Sequence, residues 1–272
     1  MNIKDLHIAM KVGGWNANAF SIEKLILILD KINMLNWPTE FVNDTYKFLY
    51  VLENFIEANY LKYYKGDLKD ATVLDLGANV GTFTLSIMDK QPKKVYSVEP
   101  MYDNIKSLLL NTQTYNNIKV IPGFVGEKSD WSNNFKCNIE DVISFKDLRQ
   151  NLNLDSIDFL KCDCEGGERN VFTHENAEYI LNNVKYISGE YHIIQELYND
   201  SQMNLSTKRN IEAFKVFRDL YLLNPNISYV IEDRSGMDIS DSILDDNKLI
   251  TYANYFSNSW RGQYIFTMIN NK

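Results

Sequence analysis

Between Ile22 and Leu35 the apolar positions Ile22, Leu25, Ile26, Leu29, Ile32 and Leu35 recur with the spacing of one helix face. Ser21 stands where an N-cap belongs, without the acidic residue three places on that would complete a capping box. Pro38 closes the pattern. A second helical stretch, roughly Glu40 to Tyr64, carries Phe41, Tyr46, Phe48, Leu49, Leu52, Phe55 and Ile56. From Ala71 the rhythm becomes strand, turn, helix. Apolar runs at Thr72–Leu76, Lys94–Val98, Ile118–Pro122, Ile157–Asp163 and Val184–Glu190 read as strands, with helices across Thr82–Met88, Asp103–Thr112 and Glu168–Asn182. The end of the chain differs, with a helix near Ser206–Leu223 and strands at Ile227–Glu232 and Gln263–Ile269. Such alternation predicts a parallel sheet covered by helices on both faces, and the two closing strands bring the sheet to seven. The predicted organisation is an N-terminal helical cap, residues 1–70, ahead of an α/β domain, residues 71–272. The cap either covers one sheet face or lines a substrate cleft.

Composition narrows the partners. The chain has 272 residues, 45% of them hydrophobic and 24% charged, enough for one substantial core and too apolar for disorder. A net charge of −8 without any Lys/Arg run speaks against nucleic acid and against an anionic membrane surface, leaving a small molecule or glycan as the expected partner. The densest apolar run, Leu25 to Leu29, is too short to span a bilayer. The first fourteen residues lack the order of a signal peptide, and three cysteines form no disulfide framework, so reduced thiols and a cytoplasmic location are expected. A homo-oligomer stays open.

The chemistry concentrates in Thr72-Val-Leu-Asp-Leu-Gly-Ala-Asn-Val-Gly-Thr-Phe-Thr84. An apolar strand runs into Asp75, and Gly77 and Gly81 then form a tight turn before a helix that begins at Thr82 and Phe83. A dinucleotide fingerprint would read G-x-G-x-x-G and set helix N–H groups against a pyrophosphate. Here Asn79 and Thr82 occupy the second and third glycine positions, so the turn suits a ligand without pyrophosphate. Asp75 is placed to hold the amino group of a methionine moiety. The next strand ends in Glu99-Pro100, and Glu99 lies where an acid accepts both ribose hydroxyls. Phe124 follows the third strand, where an adenine ring would lie. Together these elements predict S-adenosylmethionine binding; a nicotinamide or flavin enzyme and a fold that has lost its ligand are the rival readings. The seven strands then match the Rossmann-like fold of class I methyltransferases, mostly parallel with one antiparallel strand.

The residues Val73-Leu-Asp-Leu-Gly-Ala-Asn-Val-Gly81, Val98-Glu-Pro100 and Ile157-Asp-Phe-Leu-Lys-Cys-Asp-Cys-Glu-Gly166 resemble the FkbM family of methyltransferases. Asn104, Leu108 and Asn111, and Ser144-Phe-Lys-Asp-Leu148, are similar to its pattern too. The resemblance spans roughly Ala71 to His192. It implies a methyltransferase that uses S-adenosylmethionine on hydroxyls, often of sugars or other hydroxylated natural products. Cys162, Cys164 and Gly167 depart from the usual family residues by volume alone.

Ligands of open α/β sheets sit beyond the carboxyl ends of the strands. There the sequence places Lys161, Asp163, Glu165, Glu190 and His192, with strand alternation turning Lys161, Asp163 and Glu165 one way and Cys162 and Cys164 the other. A metal site on Cys162 and Cys164 would lack a second cysteine pair. Methyl transfer to an aliphatic hydroxyl needs a positioned acceptor and a place for its proton. General base catalysis contributes about 10²–10⁴-fold, and positioning contributes about 7–11 kcal/mol. Two versions stand. In one, His192 or Glu165 takes the proton; in the other, Asp163, Glu190 and His192 hold Mg²⁺ against a vicinal diol, with Glu165 or Lys161 as base. Alternatively Asp163 only touches the cofactor, and Glu190 pairs with Lys161. His7 and His174 read as surface or packing residues, and Tyr191, Tyr255 and Trp260 as core unless they stack on a sugar.

Other functions weigh less. The D/N-P-P-Y/F signature of amino-group DNA methylases is missing at Asn224-Pro-Asn226, and there is no Pro-Cys pair to attack a pyrimidine. An RNA ribose 2′-O-methyltransferase fits Lys161 and Asp163 but not the acidic charge. A non-catalytic interaction subunit of the same fold would bind partners through its N-terminal helices.

Overall fold

The computed structural model describes residues 1–38, 43–126, 141–192, 215–216, 219, 226–232, 237–243, 245, 247–248 and 263–271. Three capped helices open the chain. Helix α1, Ile3–Val12, is closed by a reciprocal box in which Asn2 and Asp5 each accept the other's backbone N–H. Helix α2, Ile22–Met34, has Ser21 at its N-cap, accepting from Lys24 N, and buries Leu25, Ile28 and Ile32. Helix α3, Asp44–Val51, is capped by Asn43. Leu6, Met10, Leu25, Ile28, Ile32, Phe48 and Val51 form one apolar cluster among the three helices. Each such side chain contributes about 1.5–3 kcal/mol on burial, which accounts for the cap holding together as a unit.

Two details differ from the sequence reading. Helix α1 lies where the sequence pattern predicts no element, since the whole helix is only ten residues long. The long second helix is broken: α3 passes into a π-helical turn, Leu52–Ile56, and Ala58 then adopts a left-handed backbone with φ 49°. That reversal sends Tyr60 and Tyr64 back onto the sheet, where Tyr60 packs against Phe83 and Tyr64 against Phe159 and Tyr186. Tertiary burial of two aromatic rings overrides helical continuity.

The sheet holds β1, Thr72–Leu76; β2, Lys94–Glu99; β3, Ile118–Pro122; β6, Ile157–Cys162; β7, Val184–His192; β8, Ile227–Glu232; and β9, Gln263–Asn270. Two short strands, β4, Phe124–Val125, and β5, Val142–Ile143, pair separately. Strand order is β3-β2-β1-β6-β7-β9-β8. Neighbours from β3 through β7 run parallel, and β9 alone runs antiparallel to both of its partners. This is the expected α/β architecture of seven strands.

Helices α4, Thr82–Ser86; α5, Tyr102–Thr112; α6, Phe145–Asn151; α7, Glu168–Val171; and α8, His174–Asn183, follow the strands. The single helix expected over Glu168–Asn182 is two, because Thr173 is extended and caps α8. The helix expected near Ser206–Leu223 lies largely outside the described residues. No helix among the described residues is long and apolar enough to cross a membrane. The chain order reverses between β1 and β6, and the crevice at their carboxyl ends is where the site lies.

Candidate active site

The turn after β1 is shaped by one close approach. Gly77 has φ 76°, and a Cβ there would lie 1.7 Å from the carbonyl oxygen of Asp163. Only glycine permits both the left-handed backbone and the contact. The backbone knits three strand ends together: Gly77 and Ala78 donate to Val98 O, and Asp163 donates to Leu76 O. Glu99, at the end of β2, is buried and held from three sides. Its Oε2 accepts from Asn79 N at 2.8 Å, and its Oε1 accepts from Met101 N at 3.0 Å and Asn104 Nδ2 at 3.1 Å. Burial raises the Glu99 carboxyl above its ordinary value of 4.5, against the pull of these hydrogen bonds.

These elements open on a cavity of about 950 Å³, lined by residues 77–79, Thr82 and Phe83, residues 98–101, Asn104, and residues 123–125. Lys161, residues 163–165 and Glu190 form its far wall. The cap closes it with Trp15, Tyr50, Glu53, Asn54 and Tyr60 among others, so the cap lines the cleft as well as covering the sheet. A volume near the upper end of ligand pockets leaves room for two ligands side by side.

On the far wall an ionic chain follows from strand register. Asp75 of β1 is paired with Lys161 of β6, so the two side chains stand on one face, and Lys161 Nζ lies 3.3 Å from Asp75 Oδ1. Lys161 Nζ also donates to Gly77 O at 2.7 Å and lies 3.6 Å from Asp163 Oδ2. Burial pulls the ammonium down, but Asp75 and Asp163 outweigh it and hold Lys161 above its ordinary value of 10.5. Tyr60 completes the chain, donating from its hydroxyl to Asp163 Oδ2 at 2.7 Å, with Lys161 Nζ 5.3 Å from its ring centroid.

Strand β6 ends at Cys162, so alternation carries Asp163 to the same side as Lys161 but does not govern Glu165. Glu165 has a left-handed backbone, φ 52°, in a loop fastened by Glu168. That fully buried carboxylate accepts from Cys164 N at 2.7 Å and Gly166 N at 2.9 Å. Cys162 and Cys164 are buried, with sulfurs 3.9 Å apart.

The structure therefore places Gly77, Asn79, Thr82, Phe83, Glu99, Pro100, Phe124, Lys161, Asp163, Glu165 and Glu190 on one cavity. Asp75 and Gly81 stand behind it. Asp75 is fully buried and bound by Thr84 Oγ1 at 2.6 Å, and Gly81, with φ 93°, begins α4. His192 belongs to β7 opposite Gln263, but its side chain lies outside the described residues, as do Tyr255 and Trp260. Among the described residues no group of three His, Cys, Asp or Glu side chains is placed to hold a metal ion. Tyr191 is core. His174 is exposed and meets Asp219 at 2.7 Å. The sequence reading missed Tyr50, Glu53, Asn54 and Tyr60, which precede the motif-bearing strands. It also missed Glu168, whose only signal was its place directly after the Gly166-Gly167 pair.

Residues 75–201 match the methyltransferase FkbM domain. No curated protein matches the chain. Among solved structures, it is similar to precorrin-6y C5,15-methyltransferase from Geobacter metallireducens, at 12% identity and a TM-score of 0.44, covering 88% of this chain and 96% of that one. It is similar to an rRNA methylase from Streptococcus thermophilus at 11% identity and a TM-score of 0.44, covering 80% and 95%. At these scores neither likeness says anything about the acceptor.

Proposed function

We propose that this chain, which carries an FkbM methyltransferase domain over residues 75–201, methylates a hydroxyl of a sugar, glycan precursor or similar polyol. The observation that carries the reading is the single cavity on which the glycine turn and Glu99 face Asp163, Glu165 and Glu190. One side suits a nucleoside and the other a hydroxylated acceptor.

The residues fit S-adenosylmethionine. The carbonyl-packed Gly77 removes a side chain from the cradle, the buried Glu99 would accept the ribose hydroxyls, and Phe124 borders the place for an adenine. Asp75 does not line the cavity, so its part toward the methionine moiety would be indirect, through Lys161 and the turn that Lys161 holds. When bound, the cofactor supplies a methyl group on a sulfonium, whose carbon–sulfur bond breaks toward sulfur as the acceptor oxygen bonds to carbon.

The chain's own residues must then place the acceptor and receive one proton. Lys161, kept protonated by two carboxylates, is a poor proton acceptor and a good positional charge. Asp163 is engaged by Tyr60 and Lys161. Glu165, exposed on the loop and on the cavity wall, is the side chain best placed to take the hydroxyl proton. His192 stays an alternative base, and a Mg²⁺-assisted variant through Asp163, Glu190 and His192 is a separate test. The experiment is methyl transfer from S-adenosylmethionine to a panel of sugars and polyols, with and without EDTA. Glu165→Gln should lower turnover by about 10²-fold while cofactor affinity holds. Turnover that survives that substitution removes Glu165 as base.

A further inference from the structure

The loop that carries Glu165 is built on a carboxylate that does not line the cavity. Between the end of β6 at Cys162 and the start of α7 at Glu168, two consecutive residues take left-handed backbones, Glu165 at φ 52° and Gly166 at φ 101°. A residue other than glycine persists in that region only where its surroundings over-determine it. Glu168 does so here. It is fully buried, and its two carboxylate oxygens accept from Cys164 N at 2.7 Å and Gly166 N at 2.9 Å, the amides on either side of Glu165. Gly167 N closes the turn on Cys164 O at 3.1 Å. A Cβ on Gly167 would lie 2.4 Å from Val125 O, so the turn is seated tightly against β4. Hydrogen bonds to a carboxylate are about twice as strong as those between neutral groups. A carboxylate also accepts at both oxygens, whereas a side-chain amide in its place would set its own N–H₂ against one of the two backbone donors.

We propose that Glu168 is a positioning residue for methyl transfer, acting through Glu165 by fixing the direction in which that side chain leaves the loop toward the acceptor hydroxyl. The proposal rests on the reading of Glu165 as the group that takes the hydroxyl proton. A base works only within hydrogen-bond reach of its proton, and a displacement of about 1 Å can cost about 10²-fold in rate. The group that meets the acceptor is exposed, and the one that aims it is sealed from water.

The test is a double-mutant cycle of Glu165→Gln, Glu168→Gln and the pair in the full chain. It is read in turnover on glucose, galactose and myo-inositol, in S-adenosylhomocysteine affinity, and in amide exchange by NMR. Glu168→Gln should lower kcat by about 10-fold or more with cofactor affinity unchanged. Adding it to Glu165→Gln should lower kcat no further, because residues that act as a unit are not additive. In the exchange arm, which needs no acceptor, the amides of Cys164 and Gly166 should be protected in the parent chain. At least one of them should open in Glu168→Gln while those of β6 stay closed. Should Glu168→Gln not fold, Glu168→Asp, which keeps both acceptor oxygens on a shorter arm, takes its place in the cycle. Fast exchange of either amide in the parent chain overturns the proposal without any variant. Losses in kcat that multiply, or a Glu168→Gln enzyme that turns over like the parent, overturn the positioning role and leave Glu165 as base. Full turnover by Glu165→Gln instead overturns the reading of Glu165, and this inference with it. If none of the three acceptors is methylated, the exchange arm decides, and unchanged protection in Glu168→Gln overturns the proposal.

Discussion

The hydroxyl of Tyr60 donates a 2.7 Å hydrogen bond to Asp163 across 103 residues of sequence, joining the helical cap to the end of β6 at the wall of the cavity. Asp163 is in turn 3.6 Å from Lys161, whose ammonium is 3.3 Å from Asp75. The cap thus orients a charged group that the strands alone would leave to water.

Tyr60→Phe keeps the ring packed on Phe83 and removes that hydrogen bond. The expected cost in folding is about 1 kcal/mol, with a fall in turnover of about 10-fold and little change in cofactor affinity. Steady-state kinetics beside a thermal melt reads both. A fall in cofactor affinity as large as the fall in turnover would assign Tyr60 to the wrong side of the cavity.

Glu99→Ala removes the acceptor proposed for the ribose hydroxyls. Hydrogen bonds to a charged group contribute about 1.5–3 kcal/mol each, so the loss of even one should weaken cofactor binding by at least about 10-fold. Calorimetric titration with S-adenosylhomocysteine measures this directly, and unchanged affinity would refute the ribose assignment.

Because burial raises the Glu99 carboxyl, its proton returns above pH 4.5 as the solution is acidified. Cofactor affinity should therefore weaken as pH falls through that raised value, since a protonated Glu99 no longer accepts from both hydroxyls. The stability contribution has the opposite sign. A group whose folded pKa is raised stabilises the fold fully below its unfolded pKa and loses that contribution as pH rises through the folded one. Glu99→Gln should flatten both dependences; a cofactor affinity that still weakens with acid in that variant would place the titrating group elsewhere.

Gly77→Ala sets a methyl group against the Asp163 carbonyl in a left-handed backbone, and at 1.7 Å one strand end must move. The variant should lose several kcal/mol or fail to fold. Gly81→Ala meets the flexible tip of Leu108 at 2.8 Å and should cost less. Denaturant melts of the two variants rank them; the reverse order would contradict the strand-end packing.

Most of the sheet was legible because its strands are buried on both faces and read as apolar runs between glycine turns. Strand β1 was located to the residue, and Glu99 followed from its distance along a βαβ unit. Tyr60, Glu53 and Asn54 were not legible. Their place depends on the left-handed Ala58 and the π-helical turn, which arise from packing against the sheet and leave no periodic trace. Asn111 shows the same limit. Its similarity to the family pattern marked it, yet its task is a bridge, with Oδ1 accepting from Asn36 N at 2.7 Å and Nδ2 donating to Val80 O at 2.8 Å, tying cap to glycine turn. Asp75 reads from the sequence as the partner of a methionine amino group, and only strand register shows that its carboxylate faces Lys161 rather than the cavity.

The central claim is met most directly by a crystal structure of the chain grown with S-adenosylhomocysteine. The account predicts the ribose hydroxyls on Glu99, the adenine beside Phe124 and the sulfur facing Asp163 and Glu165. A nucleoside bound outside this cavity, or seated in it with its ribose away from Glu99, would contradict it.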